Sequence, residues 1–341
     1  MLLLQTEYSV NGAAASPKNS MGRDIGVLAL LLIIYNLISR YMVYPFYYVS
    51  YRFFAGEFTG SWNKVVEYFN DHRELNDSTT FQMTANIVIT VFSAAITLLI
   101  ARCFGISVRS YLKPSQQGGK TGLKWMPPCF VFNMISSTII AYFTNFLNSM
   151  GVSVPSSDFS IKQPSVLAVV MQFAYVIVLA PVFEEIIYRG LIIKVISPYS
   201  KTGAVLVSAL SFGLMHGNIP QAASAFCTGV IYAVIALKCG SIFPTVIIHS
   251  LNNMLVNSPE LLGALGINNS SAAISTIEII VALIGFLVWF VDYKFMKYEP
   301  ETDSRITTAA VKKVMTHPMI IVYFSLLLFF IIRAIILANA R

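Results

Sequence analysis

Apolar residues along this chain of 341 residues gather into long runs separated by short polar stretches. A bilayer core takes roughly 20 apolar residues per helix, and fewer where other helices enclose it. On that rule the runs predict nine spans, near 26–48, 84–104, 126–148, 165–188, 202–216, 220–238, 242–257, 273–293 and 318–338. The fifth and seventh are short, which predicts places inside the bundle. The expected fold class is all-α, a polytopic transmembrane bundle of about eight or nine spans.

Composition agrees with the pattern. Hydrophobic residues make up 56% and charged residues 11%, with a mean hydropathy of +0.69. A soluble domain carries about 25% charged residues, and no soluble interior of this size hides so much apolar surface. A soluble enzyme, a disordered chain and a disulfide-stapled secreted domain are excluded. The net charge of +7 lies between apolar runs and so reports topology, not nucleic-acid binding. Cys103, Cys129, Cys227 and Cys239 have no metal-site spacing and read as buried, reduced thiols. Leu2–Leu4 is too short for a signal-peptide core, so the first span is expected to be both signal and anchor.

Orientation follows the basic residues. With the N-terminus cytoplasmic, the inner segments hold Lys18, Arg23, Arg102, Arg109, Lys113, Lys120, Lys124, Lys194, Lys201, Lys238, Lys294, Lys297, Arg305, Lys312 and Lys313. The outer segments hold only Arg52, Lys64, Arg73, Lys162 and Arg341. That asymmetry predicts a multi-pass cell-membrane protein with its N-terminus inside and C-terminus outside.

The outer segment 49–83 contains Trp62, Val65, Val66 and Phe69 at helical spacing, with Lys64, Glu67 and Asp71 between them. This predicts an amphipathic helix lying on the outer interface. Residues 113–122 are rich in Gly, Gln and Lys and read as a flexible linker. Three parts are expected: 1–122, a two-span hairpin with interfacial helix and linker; 123–257, a core bundle whose motifs lie in 165–257; and 258–341, a two-span extension. No internal repeat of the transporter kind is visible.

Ionisable groups inside apolar runs are costly and usually functional. The fourth run ends Ala180-Pro181-Val182-Phe183-Glu184-Glu185-Ile186-Ile187-Tyr188-Arg189. Glu185 and Arg189 are i,i+4 and can pair, while Glu184 points about 100° away, free to face a polar cavity. The fifth run carries Phe212 and His216; the seventh carries His249 and Asn253 on one face. Counted from the turns that follow and precede them, Glu184, His216 and Asn253 lie roughly 20 Å deep, with His249 one turn shallower. Arg40, with Asn36 at i−4, is expected to be paired within the bundle. Glu278 and Arg333 read as interfacial or snorkelling, and His72 and His317 as loop residues.

A carboxylate beside a histidine can activate water, and a second histidine with an amide can stabilise an oxyanion. The set therefore suits a hydrolase without a Ser, Thr or Cys nucleophile. Zinc held by Glu185, His216 and His249 is an open alternative, although HExxH is absent. A proton-coupled transporter using the same groups, or a non-catalytic membrane scaffold, remains as a rival.

The three motifs, EExxxR at Glu184-Glu185-Arg189, FxxxH at Phe212-His216 and HxxxN at His249-Asn253, occur in order. Over 165–257 the chain resembles the CPBP family of intramembrane endopeptidases, the CAAX prenyl protease 2 or Abi type. The resemblance implies a bundle with an intramembrane polar cavity that cleaves peptide bonds. It implies Glu184 as the base with His216 assisting, His249 and Asn253 at the oxyanion, and Glu185 with Arg189 in support. It leaves a metal-free or a zinc-dependent metalloprotease mechanism open, and implies a peptide or a lipidated membrane protein as substrate. Prenyl-protein trimming, bacteriocin immunity and peptide maturation are the activities associated with the family.

Overall fold

The computed structural model describes residues 20–57, 59–114, 116–156, 158, 160–267, 270–296 and 304–340. The N-terminal stretch with Lys18, Lys297 and Arg341 lie outside the described residues. Within them every regular element is helical: α1 (Met21–Tyr41), α2 (Val43–Ala55), α3 (Trp62–Asp71), α4 (Arg73–Asn76), α5 (Thr79–Cys103), α6 (Gln116–Ser149), α7 (Val166–Gln172), α8 (Ala180–Glu185), α9 (Ile192–Ile196), α10 (Lys201–Leu214), α11 (Ile219–Cys239), α12 (Phe243–Ala264), α13 (Ser270–Met296), α14 (Ser304–Met315) and α15 (Pro318–Asn339). Helices α7, α8 and α9 form one continuous rod, joined by π-helical turns at Phe173–Leu179 and Ile186–Leu191.

Among the described residues, seven stretches are long and apolar enough to cross a bilayer: Met21–Ala55, Thr79–Cys103, Lys124–Ser149, Val166–Ile196, Ile219–Cys239, Ala272–Asp292 and Pro318–Asn339. They coincide with seven of the nine predicted spans. The other two are α10 and α12. Helix α10 has 14 residues, roughly 21 Å of length, and is enclosed on most sides. Helix α12 is long enough but too polar, and it is only partly enclosed, because Ile247 and Val256 remain exposed.

The main core draws on helices from both ends of the chain. Ile25, Leu28 and Leu32 of α1, Ile187 and Leu191 of the π turn, Val207 and Phe212 of α10, and Ile320 and Leu327 of α15 form one buried cluster. The first and last spans are thus packed directly against the motif-bearing segment. In lipid there is little hydrophobic drive between helices, so close packing of small residues carries association. At Gly213 an added Cβ would stand 2.6 Å from the Ala222 carbonyl oxygen, and at Gly229 3.2 Å from Ala209 Cα. Those two glycines let α10 and α11 touch backbone to backbone.

Hydrogen bonds between connecting segments fix the two ends of the bundle. At one end Tyr199 Oη donates to Asp24 Oδ2 at 2.6 Å, Ile242 N donates to the Tyr111 carbonyl at 2.9 Å, and Lys124 pairs with Asp292 at 3.2 Å. At the other, Lys162 N donates to Thr79 Oγ1 at 2.8 Å, Ile161 N to Glu260 Oε1 at 2.7 Å, and Ser153 N to Asn339 Oδ1 at 2.9 Å.

One local expectation changes. Helix α6 starts at Gln116, so most of the stretch 113–122 is helix and not flexible linker. Once a long helix is nucleated, each added residue costs little, and Gly118 and Gly119 are carried along. Helix α3 has the expected amphipathic pattern but rests on protein. Val65 and Phe69 are buried against Tyr51 and Phe81, whereas Trp62 and Val66 stay exposed. Aromatic residues of α2 and α5 cover its buried face.

Candidate active site

The local structure of the fourth span begins with a proline. In the π turn ahead of α8, Ala180 N–H reaches back five residues to the Tyr175 carbonyl. Continued by one residue, that register would pair position 181 with the Val176 carbonyl, but Pro181 has no N–H. Asn253 Nδ2 from α12 donates to Val176 O instead, at 2.9 Å. A second π turn follows immediately after Glu185. The glutamate pair therefore sits on a short α segment between two π turns, a distortion that recurs at functional sites.

Glu185 and Arg189 are both fully buried, and Arg189 Nη1 donates to Glu185 Oε1 at 2.9 Å. The guanidinium lies 4.1 Å from the Phe212 ring centroid and 5.3 Å from that of Tyr232. These ring faces give it cation–π stabilisation where water is excluded. Gly229 leaves the room, since a Cβ there would meet Phe212 at 3.2 Å and Arg189 Nη2 at 3.4 Å. Burying such a pair is costly unless it is well arranged, which points to a role beyond stability.

His249 connects the two carboxylates. Its Nδ1 lies 3.1 Å from Glu185 Oε1, and its Nε2 lies 3.7 Å from Glu184 Oε2. Phe212 meets its ring edge to face at 5.5 Å, and Tyr232 packs on it at 5.6 Å. The depth count had put Asn253, not His249, level with Glu184. The structure instead brings His249 to Glu184, while Asn253 is bonded to the Val176 carbonyl. His216 is held differently. Its Nδ1 lies 2.8 Å from the Phe212 carbonyl and 3.3 Å from that of Gly213. Two acceptors on Nδ1 require the proton there, which leaves Nε2 as an acceptor.

Glu184, His216, His249 and Asn253 all line one cavity of about 450 Å³ among α6, α8, α10, α11 and α12. Glu185 and Arg189 stand behind it. The sequence reading missed the polar wall opposite. Asn133 Nδ2 donates to Asn252 Oδ1 at 2.6 Å, Ser137 and Ser224 hydroxyls lie 2.9 Å apart, and Thr228 Oγ1 donates to Asn133 Oδ1 at 3.4 Å. The available signal was polar pairs at i,i+4 within apolar runs, Asn133 with Ser137 and Ser224 with Thr228. Arg40 finds its partner as expected within the bundle, 4.1 Å over the Phe330 ring.

The conditional zinc set of Glu185, His216 and His249 does not converge. Among the described residues no three His, Cys, Asp or Glu side chains form a group able to hold a metal ion. Glu185 Oε1 is taken by Arg189 and His249, and His216 Nδ1 is turned to its own backbone.

Residues 166–255 match the family model described as Type II CAAX prenyl endopeptidase Rce1-like. An uncharacterized 24.3 kDa protein of Escherichia coli is 25% identical over 171 residues, which cover 46% of this chain and 75% of that protein. No solved structure matches the chain. The matched segment contains Glu184, Glu185, Arg189, Phe212, His216, His249 and Asn253, and over residues 166–255 the chain is similar to the type II CAAX prenyl endopeptidases.

Proposed function

We propose that the chain is an intramembrane endopeptidase in which Glu184 activates the water that attacks a peptide carbonyl. The observation that carries this reading is His249 held between Glu184 and the buried Glu185–Arg189 pair. With His249 protonated, two carboxylates face two cations and the cluster is neutral. His249 is then a fixed Nε2–H donor at the edge of the cavity.

In this mechanism Glu184 takes a proton from water as the water oxygen bonds to the scissile carbonyl carbon. His216 Nε2 accepts the water's other hydrogen bond and orients it. The developing oxyanion accepts from His249 Nε2–H and from the Asn253 Nδ2 hydrogen not given to Val176. The tetrahedral intermediate collapses with cleavage of the C–N bond, and Glu184 returns its proton to the leaving amine. The substrate is a membrane-embedded polypeptide, of which prenylated proteins are the class named by the family. The excess of basic residues at the end of the bundle that holds Tyr111, Lys113 and Lys124 supports a cytoplasmic N-terminus.

The test is cleavage of quenched fluorogenic peptides, prenylated and unprenylated, by purified wild-type protein and Glu184→Gln, each with and without a strong chelator. Hydrolysis that Glu184→Gln abolishes and the chelator spares supports the reading. Loss under chelation that zinc restores overturns its metal-free form. Absence of any hydrolysis favours the transporter or scaffold.

A further inference from the structure

A second cavity, of about 320 Å³, lies across the seam between α6 and α12 and shares Asn133, Ser137, Asn252 and Val256 with the first. Helix α13 closes it with Glu278. This helix lies outside the segment 166–255 that carries the family resemblance.

The sequence reads Glu278 as interfacial or snorkelling. It stands about two turns inside α13, within the apolar stretch Ala272–Asp292. Its neighbours Ile277, Ile279 and Ile280 are exposed, about half of each side chain facing outward, whereas Glu278 is half-buried and lines the cavity. The helix's other described carboxylate, Asp292, is paired with Lys124. Glu278 has no hydrogen-bond or ion-pair partner among the described residues. The nearby amides of Asn133 and Asn252 are bonded to each other.

A carboxylate at this depth is expensive and is found paired or in a substrate path. Among the described residues no charge pairs with it, and the group lines a cavity that shares wall residues with the proposed catalytic cavity. We propose that Glu278 selects substrates that carry a cationic group, the side chain of Lys or Arg, near the bond to be cut. A helix is about 10 Å across and an extended peptide advances about 3.3 Å per residue. A chain passing from one cavity to the other around α12 therefore places the cation about three residues from the scissile bond. The inference rests on the peptidase reading for its first test only.

That test uses full-length protein and fluorogenic peptides that differ only in Lys, norleucine or Glu at each position flanking the cleaved bond. Wild type should prefer Lys over norleucine in kcat/KM by roughly tenfold or more, the size of a hydrogen bond to a charged group. The preference should fall to near parity in Glu278→Gln and turn toward Glu in Glu278→Lys, an inversion that a merely structural role would not produce. An unchanged Lys preference in Glu278→Gln, or none in wild type, overturns the inference and leaves the peptidase reading standing. A binding arm separates the two further, using the same peptides and fluorescence anisotropy with Glu184→Gln protein. If wild type cleaves no peptide, the peptidase reading falls alone. Lys-selective binding that is lost in Glu184→Gln/Glu278→Gln then supports the role of Glu278, and equal binding of all peptides overturns it.

Discussion

His249 Nδ1 lies 3.1 Å from Oε1 of the fully buried Glu185. This contact turns the opposite edge of the imidazole, Nε2, to Glu184 and the cavity. A histidine fixed by a buried carboxylate on one nitrogen has a defined job for the other, as in other acid–base sites. Replacing His249 with Gln removes the charged donor at the proposed oxyanion position. The expected result is a fall in kcat of about 100- to 1000-fold with little change in KM, read from steady-state peptide cleavage.

Arg189 supplies the cation that makes a buried Glu185 tolerable. Arg189→Ala leaves that carboxylate uncompensated, which costs about 3–5 kcal/mol for a broken buried pair. Thermal unfolding in detergent should show a large fall in Tm, well beyond that of Glu184→Ala, whose side chain borders the cavity. Arg189→Lys should fall between them, because an ammonium neither forks to the carboxylate nor stacks on Phe212 as the guanidinium does.

Asn253 and Pro181 are linked through one carbonyl. Asn253→Ala strips the donor from Val176 O and is expected to cost about 1–3 kcal/mol, the penalty of an unsatisfied buried polar group. Pro181→Ala restores a backbone N–H in the register of that carbonyl. The double variant should recover part of the lost thermal stability but none of the lost peptidase activity, so the two roles of Asn253 separate in one double-mutant cycle.

The contact between α10 and α11 predicts sharp intolerance at Gly213. Even a Cβ there meets the Ala222 backbone, and Gly213→Val should destabilise by about 1–3 kcal/mol through overpacking. Gly22→Ala, with nothing within 4 Å of its added Cβ on helix α1, should instead raise stability by up to about 1 kcal/mol. Melting curves of the two variants measure the contrast.

The residues proposed for chemistry were legible in the sequence because charge is conspicuous inside an apolar run. Glu184, Glu185 and Arg189 needed only helical spacing to separate the cavity-facing carboxylate from the paired one. The partner of Glu184 was harder to read. Straight α-helical counting put Glu184, His216 and Asn253 at one depth and His249 one turn shallower, whereas His249 is the residue that meets Glu184. No propensity signals a π turn, although Pro181 marked where the ladder had to change. The wall contributed by Asn133 and Ser137 was overlooked because single amides and hydroxyls are cheap in a span and do not interrupt hydropathy. An amphipathic face tells that something apolar covers it, not whether that is lipid or, as at helix α3, Tyr51 and Phe81.

The central claim is that Glu184 delivers water to a peptide bond, and heavy-oxygen water tests it most directly. Purified protein is incubated with a cleavable peptide in labelled water, and the new C-terminal carboxylate is read by mass spectrometry. The account predicts one labelled oxygen per cleavage with wild type and no product with Glu184→Gln. Product formed by Glu184→Gln at the wild-type rate, or wild-type product without label, would contradict it.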